Sequence, residues 1–140
     1  MASMRHEEMD RVIREHFAGE AAQDTERVLG TLTADAEHDV VGLPSGQGAE
    51  YIRHFYDGLY KILQQENVTP LRRYYGEDFA VDEVLYTAQT DGAMFGAAGR
   101  RGRISVRMLH VLEFRDGRIS RENVWIDWAA GKAQLLATPN

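Results

Sequence analysis

The chain has 140 residues, of which 44% are hydrophobic and 27% are charged, a composition typical of a globular domain rather than a disordered segment. Its net charge of −6 argues against general nucleic-acid binding, and the absence of cysteine excludes disulfides, zinc–thiolate sites and thiol nucleophiles. We therefore expect one domain over residues 1–140, with no nucleic-acid partner.

The N-terminal segment is charged and has a helical pattern, without the apolar centre of a signal peptide. No apolar run approaches the ~18 residues that a membrane span needs. These two observations predict a cytoplasmic protein that has no membrane partner.

The first half of the chain shows helical periodicity. Apolar residues recur at helical spacing over residues 4–18, and Gly19 is suited to end that helix. Asp24 is suited to cap a second, short helix, and residues 37–42 have the composition of a short strand. A glycine-rich loop then leads into a third helix that ends near Leu63.

After the third helix the period of the apolar pattern changes to about two, which is typical of strands. The predicted strands cover residues 71–75, 79–90, 104–114 and 118–128. Asp116 and Gly117, between the last two strands, form a strong hairpin signal. Helices followed by antiparallel strands predict an α+β fold, with a curved antiparallel sheet wrapped around the N-terminal helices.

Two segments resemble a known family: the loop and helix GQGAEYIRHFYDGL and the closing hairpin HVLEFRDGRISRENVWID. Both are similar to the SnoaL-like group of the nuclear transport factor 2-like superfamily, which includes polyketide cyclases, ketosteroid isomerases and limonene epoxide hydrolases. The resemblance implies a cone-shaped, cystatin-like α+β roll around a deep apolar cavity, and a homodimer packed through the sheet. Enzymes and plain binding proteins share this fold, so the resemblance does not decide the activity.

Asp127 ends the last predicted strand, where Asn123 and Trp125 alternate with it on one face. It resembles the acid/base aspartate of SnoaL-type cyclases and epoxide hydrolases. A carboxylate in an apolar cone has a raised pKa, which suits proton transfer near neutral pH. We expect Asp127 to be catalytic and Asn123 and Trp125 to line the pocket. The alternative is a strand-end aspartate that is hydrogen-bonded to the backbone.

His38 is the second catalytic candidate. Alternation places His38 and Val40 on one face of the first strand, so a His38 that faces the cavity would pair with Asp127 or shuttle a proton. The alternative is a half-buried histidine that hydrogen-bonds to the backbone. On the long strand, Glu83 and Tyr86 are both pocket candidates, but they alternate out of phase and at most one of them faces the cavity.

The register of the last hairpin leaves two alternatives open. A two-residue turn places His110 on the face of Asp127, whereas a three-residue turn with a glycine bulge places Arg107 and its alternate neighbours there. The resemblance favours the bulged form, so we expect His110 on the outer or dimer face of the sheet. The remaining pocket candidates are Tyr56, Leu109 and Val111.

Each catalytic set known in the family is incomplete in this sequence. The base of the ketosteroid isomerases would fall near Val40 or Val41, where there is no carboxylate. The arginine of the epoxide hydrolases is missing from residues 81–85, and the histidine of the polyketide cyclases is replaced by Thr90. The histidines show no metal-binding spacing, so we expect no metal and no cofactor.

Two hypotheses follow. The first is a cofactor-independent acid/base enzyme, of cyclase, isomerase, dehydratase or epoxide hydrolase type, acting on an apolar polyketide, terpenoid or steroid-like ligand. The second is a dimeric module that binds a ligand or a protein without chemistry. The last strands are apolar on both faces, which predicts a homodimer under either hypothesis.

Overall fold

The computed structural model describes residues 3–137 and 139, which form four α-helices and the strands of one sheet. In chain order the elements are α1 (His6–Ala21), α2 (Thr25–Leu29), β1 (Leu32–Val40), β2 (Gly46–Gln47), α3 (Ala49–Ile62), β3 (Leu63–Gly76), β4 (Phe79–Asp91), a 3-10 turn (Gly92–Phe95), β5 (Arg101–Arg115), β6 (Arg118–Ile126) and α4 (Trp128–Ala137).

The sheet has the strand order β2-β1-β6-β5-β4-β3. Strands β3 to β6 follow each other as antiparallel neighbours, because each is joined to the next by a short connection. Strand β1 pairs in parallel with β6, and the short β2 pairs antiparallel with β1. The predicted α+β fold, with N-terminal helices and a mostly antiparallel sheet, is therefore confirmed.

The junction between α1 and α2 differs in part from the prediction. Asp24 caps α2 as expected, since its carboxylate accepts the backbone N–H of Arg27 at 3.1 Å. Gly19, however, lies inside α1 and does not end it, so that prediction is wrong. A Cβ atom at Gly19 would lie 3.0 Å from Cγ2 of Val28, and glycine therefore permits the two helices to pack closely.

The core lies between the inner face of the sheet and the apolar sides of α1 and α3. Ile13 of α1, Ile52 of α3 and Leu112 of β5 are essentially fully buried there. Burying each such side chain contributes roughly 1.5–3 kcal/mol. None of the described helices is long and apolar enough to cross a membrane.

Helix α4 was not predicted, because its alanine-rich sequence has little periodicity. It packs over one end of the inner face, where Leu135 is buried beside Ile104 and Val106. At the start of the helix, the indole Nε1 of Trp128 donates a hydrogen bond to the carbonyl of Val41 at 2.8 Å. Because α4 covers the inner face, the described helices leave the outer face of the sheet uncovered.

Candidate functional site

An apolar cavity lies between α1, α3 and the inner face of the sheet. Its volume is about 70 Å³, which is room for about five water molecules. Aliphatic and aromatic side chains form most of the wall. The polar side chains in the wall are Glu20, His38, Tyr56, Gln65, Tyr86, His110 and Glu122.

One extra residue in β6 decides which side chains of this strand reach the cavity. The hairpin turn has two residues, so Arg115 pairs with Arg118 and Phe114 with Ile119, but Glu113 already pairs with Arg121. Ser120 is thus the extra residue of a β-bulge, and it reverses the facing of every residue after it. As a result, Glu122, Val124 and Ile126 line the cavity.

The bulge places Asn123, Trp125 and Asp127 outside the cavity, contrary to expectation. Asp127 is exposed and its carboxylate accepts the backbone N–H of Ala130 at 3.0 Å, which caps α4. The indole Nε1 of Trp125 donates to Oδ1 of Asn123 at 2.8 Å on the outer face. Asp127 is therefore a strand-end aspartate that is hydrogen-bonded to the backbone, which was the alternative to a catalytic role.

Three further pocket candidates also lie on the outer face. Leu109 and Val111 pair with Trp125 and Asn123 across β5 and β6, and therefore share their facing. Glu83 is in phase with them on β4 and forms an ion pair with Arg107 at 2.8 Å.

The other candidates are in the cavity wall: His38, Val40, Tyr56 and Tyr86. His110 is in the wall as well, so its expected outer-face position is wrong. The turn has two residues, as in the first predicted alternative. The bulge at Ser120, however, places Leu109 and Val111 on the face of Asp127, as in the second alternative. The expectation failed because both alternatives placed the cavity on the side of Asp127.

Glu122 is the central polar group of the cavity and is 2% exposed. The hydroxyl of Tyr56 donates to its two carboxylate oxygens at 3.1 and 3.2 Å. Nε2 of His16, on α1, lies 3.1 Å from Oε2 of Glu122. Burial raises the pKa of the Glu122 carboxyl, but the positive charge of His16 outweighs burial and holds this pKa well below its usual range.

His16 is fully buried and is held in place from both sides of its ring. Its Nδ1 lies 2.8 Å from Oγ1 of Thr31, whose hydroxyl donates to the carbonyl of Val28, so Nδ1 carries the proton of that contact. Burial lowers the pKa of His16, but the charges of Glu122 and Glu20 outweigh burial and raise it to about 9. His16 is therefore an imidazolium at neutral pH.

Glu20 lies one helical turn after His16, with its carboxylate 3.6 Å from Nε2 of that residue. Its side chain is 20% exposed, whereas the side chain of Glu122 is 3% exposed. Burial raises the pKa of Glu20 to about 7, with a contribution from the charge of Glu122, although the charge of His16 opposes the shift. Glu20 is thus the more accessible and the more easily protonated of the two carboxylates.

The two remaining histidines of the cavity are almost completely buried, and their rings carry free nitrogens. Neither ring nitrogen of His38, nor Nδ1 of His110, has a hydrogen-bond partner within the described part of the chain. Burial lowers the pKa of both histidines, although the charge of Glu122 opposes the shift in each case. Both rings are therefore neutral at about pH 7 and can accept a proton.

Three polar groups are close enough to be considered as metal ligands. One ligand atom each of His16, Glu20 and Glu122 lies within 4.8 Å of the others. Because His16 has a pKa of about 9, its ring already carries the positive charge between the two carboxylates at neutral pH. An internal ion pair is thus the simpler description of this cluster.

Sequence reasoning missed His16, Glu20 and Glu122 as site residues. His16 occupies an apolar position of the α1 stripe, and Glu20 follows it at the i, i+4 spacing that places both on one side of the helix. The sequence did offer one signal for His16, because a histidine in the apolar stripe of an amphipathic helix is a candidate for a buried polar site. Nothing in the local sequence around Glu122 showed that it faces inwards.

A family model described as a SnoaL-like domain matches residues 13–122 of the chain. No curated protein shows a significant match to it.

Solved structures similar to this fold include proteins of several described activities. A proposed SnoaL-like polyketide cyclase from Shewanella denitrificans OS-217 has a TM-score of 0.82 at 14% identity, with 96% of this chain and 100% of that one covered. A second proposed SnoaL-like polyketide cyclase, from Jannaschia sp. CCS1, gives 0.80 at 16% identity, with 99% of each chain covered. An LEH-like epoxide hydrolase from M. tuberculosis gives 0.73 at 19% identity, covering 92% of this chain and 90% of that one. These likenesses show the fold and leave the activity open.

Proposed function

The chain belongs to the SnoaL-like family, and from this premise we propose that it is an acid/base enzyme that moves a proton on a small, largely apolar ligand in the cavity. One observation carries the proposal. Two buried histidines with free ring nitrogens, His38 and His110, face an apolar cavity together with the ionised Glu122. Ring closure and isomerisation next to a carbonyl both need this kind of proton transfer.

His38 is the proposed general base. Its ring is neutral at about pH 7, because burial lowers its pKa, and both of its ring nitrogens are free of partners among the described residues. In the reaction, one of these nitrogens takes a proton from the carbon beside a ligand carbonyl, and the electron pair of the C–H bond moves into an enolate. Return of the proton from His38 to another carbon of a conjugated enolate completes an isomerisation. Alternatively, the enolate carbon attacks a second carbonyl, the electron pair of that C=O bond moves onto its oxygen, and the resulting alkoxide takes the proton back from His38 as the ring closes.

Glu122 stabilises the imidazolium that forms when His38 takes up the proton. The two residues are direct neighbours on the paired strands β1 and β6. Tyr56 and His16 hold the Glu122 carboxylate in its ionised form, so its negative charge is in place before the reaction begins. A preorganised charge in a site of low dielectric is an effective means of lowering the barrier of such a step.

The volume of the cavity favours a single-ring ligand. Its volume of about 70 Å³ is about half of the roughly 150 Å³ of an engineered apolar cavity that binds benzene, so one small ring is the largest ligand that fits without a large movement of the walls. A fused polyketide or steroid would require the walls to move apart. The proposal therefore narrows the expected ligand to a monocyclic carbonyl compound.

The test is proton exchange in heavy water. The protein is incubated with a panel of monocyclic ketones in D₂O, and loss of the proton signal beside the carbonyl is followed by NMR. We expect exchange that His38→Gln slows by about 10²- to 10⁴-fold. His54→Gln is the matched control, because His54 is an exposed histidine of α3 and should leave the rate unchanged.

Two results would count against the enzyme. Equal exchange rates in the wild type and in His38→Gln would remove His38 from the mechanism. Ligands that bind in the cavity without any exchange would instead indicate a non-catalytic binding module.

A further inference from the structure

The charges around the cavity are unbalanced. Two carboxylates, Glu20 and Glu122, share one cation, His16, whose Nε2 lies 3.6 and 3.1 Å from them. No lysine or arginine is among the described residues that line the cavity. When both carboxylates are ionised, the cluster therefore has a net charge of −1, and a second positive charge would balance it.

Glu20 is the carboxylate that a ligand can reach. It lines the apolar cavity, and it also lines a smaller adjoining pocket whose wall includes Tyr60, Gln65 and Tyr86. Glu122 lies deeper and already accepts hydrogen bonds from Tyr56. A ligand that extends from the cavity towards the smaller pocket thus passes the carboxylate of Glu20.

Aromatic and hydroxyl groups complete the surroundings of Glu20. Phe17 and Tyr86 line the cavity next to it, and the buried hydroxyl oxygen of Tyr60 has no hydrogen-bond partner within the described residues. A protonated amine offers N–H donors that match a carboxylate and a free hydroxyl oxygen. Aromatic rings near the same point favour a cation further.

We propose that the cavity selects single-ring ligands that carry a protonated amine at the end that meets Glu20. The ring then lies towards His38 and His110, with the carbonyl group that the proposed reaction needs at this end, because the free ring nitrogens there are polar groups that a purely apolar ring would leave unsatisfied. The inference rests on the proposed function for the location of the ligand only. An anionic ligand is disfavoured, because it would bring a third negative charge beside Glu20 and Glu122.

The proposal is tested with ligands of the same shape and different charge. Binding of benzylamine, benzyl alcohol and benzoate is measured by titration calorimetry at about pH 8, where Glu20 is ionised and the amine is protonated. We expect benzylamine to bind the wild type at least about tenfold more tightly than benzyl alcohol, and benzoate to show no binding. Glu20→Gln should lower the affinity for benzylamine by about tenfold and leave that for benzyl alcohol unchanged. Glu15→Gln removes an exposed carboxylate from the same helix and serves as the matched control.

Several outcomes would overturn the inference. Equal affinity of the wild type for benzylamine and benzyl alcohol would do so, and this comparison does not depend on how well a variant folds. Absence of binding by all three probes would also overturn it, as would stabilisation by Zn²⁺ or Mn²⁺ without any preference for the amine, which would assign the cluster to a metal ion. His38→Gln should retain the preference for benzylamine, so a failure of catalysis and a failure of amine selection can be told apart.

Discussion

His16 on the first helix and Glu122 on the last strand meet inside the protein, with 3.1 Å between Nε2 and Oε2. His16 is 0% exposed and Glu122 is 2% exposed. The orientation of the two groups does not meet the geometry of a hydrogen bond, so the attraction between their charges is the main part of the interaction. Thr31 and Tyr56 satisfy the remaining polar atoms of the pair. Loss of one partner of such a buried charge pair strongly destabilises the folded protein, because the other charge stays buried without compensation.

Replacing Glu122 by glutamine should therefore lower the free energy of unfolding by about 3–5 kcal/mol, because His16 loses the nearer and more deeply buried of its two carboxylates. Tyr56→Phe removes the hydroxyl that donates to both oxygens of the same carboxylate, and should lower the free energy of unfolding by about 1.5–3 kcal/mol. Urea denaturation of the wild type and both variants measures the two effects. A loss for Glu122→Gln that is no larger than that for Tyr56→Phe would show that the charge of His16 contributes little.

His16 should also make stability depend on pH in a predictable direction. Its pKa is about 9 in the folded protein and 6.5 ordinarily, so its contribution is complete below about pH 6.5 and is lost as pH rises through 9. The difference of about 2.5 pKa units corresponds to about 3 kcal/mol. Urea denaturation gives the difference in the free energy of unfolding between the wild type and His16→Gln. This difference should be smaller at about pH 9.5 than at about pH 6, by about that amount. A difference that stays constant would contradict a charged His16.

The order and type of most elements were predictable, because they depend on local periodicity. The change from a helical to a two-residue period after α3 marks the start of the sheet, and Asp116-Gly117 marks the last hairpin. Helix α4 was missed because alanine-rich segments lack a clear apolar stripe. Gly131 in this helix allows close packing on Phe95, a constraint that only the folded chain shows.

The site was much less predictable than the fold. Successive side chains in a strand point to opposite faces of the sheet. One added residue, Ser120, therefore moves the later residues of β6 that were expected to face inwards to the outer face, and the others to the inner face. The expected carboxylate, Asp127, was thereby placed outside, and Glu122 was placed in the cavity wall. The pairing of Glu122 with His16 joins distant parts of the chain, and no local pattern specifies such a contact.

Asp127 should behave as a helix cap rather than as an acid/base group. Asp127→Ala should lower the free energy of unfolding by about 0.5–2 kcal/mol, because the backbone N–H of Ala130 loses its acceptor. Asp127→Asn should have a much smaller effect, since asparagine is also a good cap. Both variants should keep the wild-type rate of proton exchange on a bound ketone. A strong loss of exchange in Asp127→Asn, with stability retained, would restore the catalytic role expected from the sequence.

We expect two copies of the chain to pair through the outer face of the sheet. Leu109, Val111 and Trp125 share this face, and Trp125 is 51% exposed although its side chain is large and apolar. Charges of both signs lie beside it in the ion pair between Arg107 and Glu83, so the face can be complementary to its own copy across a two-fold axis.

Sedimentation at about 10 μM should show a dimer for the wild type and a monomer for Trp125→Glu, because the new carboxylate would be buried without a partner at the interface. Leu136→Glu is the matched control, since Leu136 is an equally exposed apolar residue, at 50%, on α4 rather than on the sheet. A monomeric wild type would contradict the expectation. A dimer that dissociates in Leu136→Glu but persists in Trp125→Glu would move the interface to the end of the molecule that α4 covers.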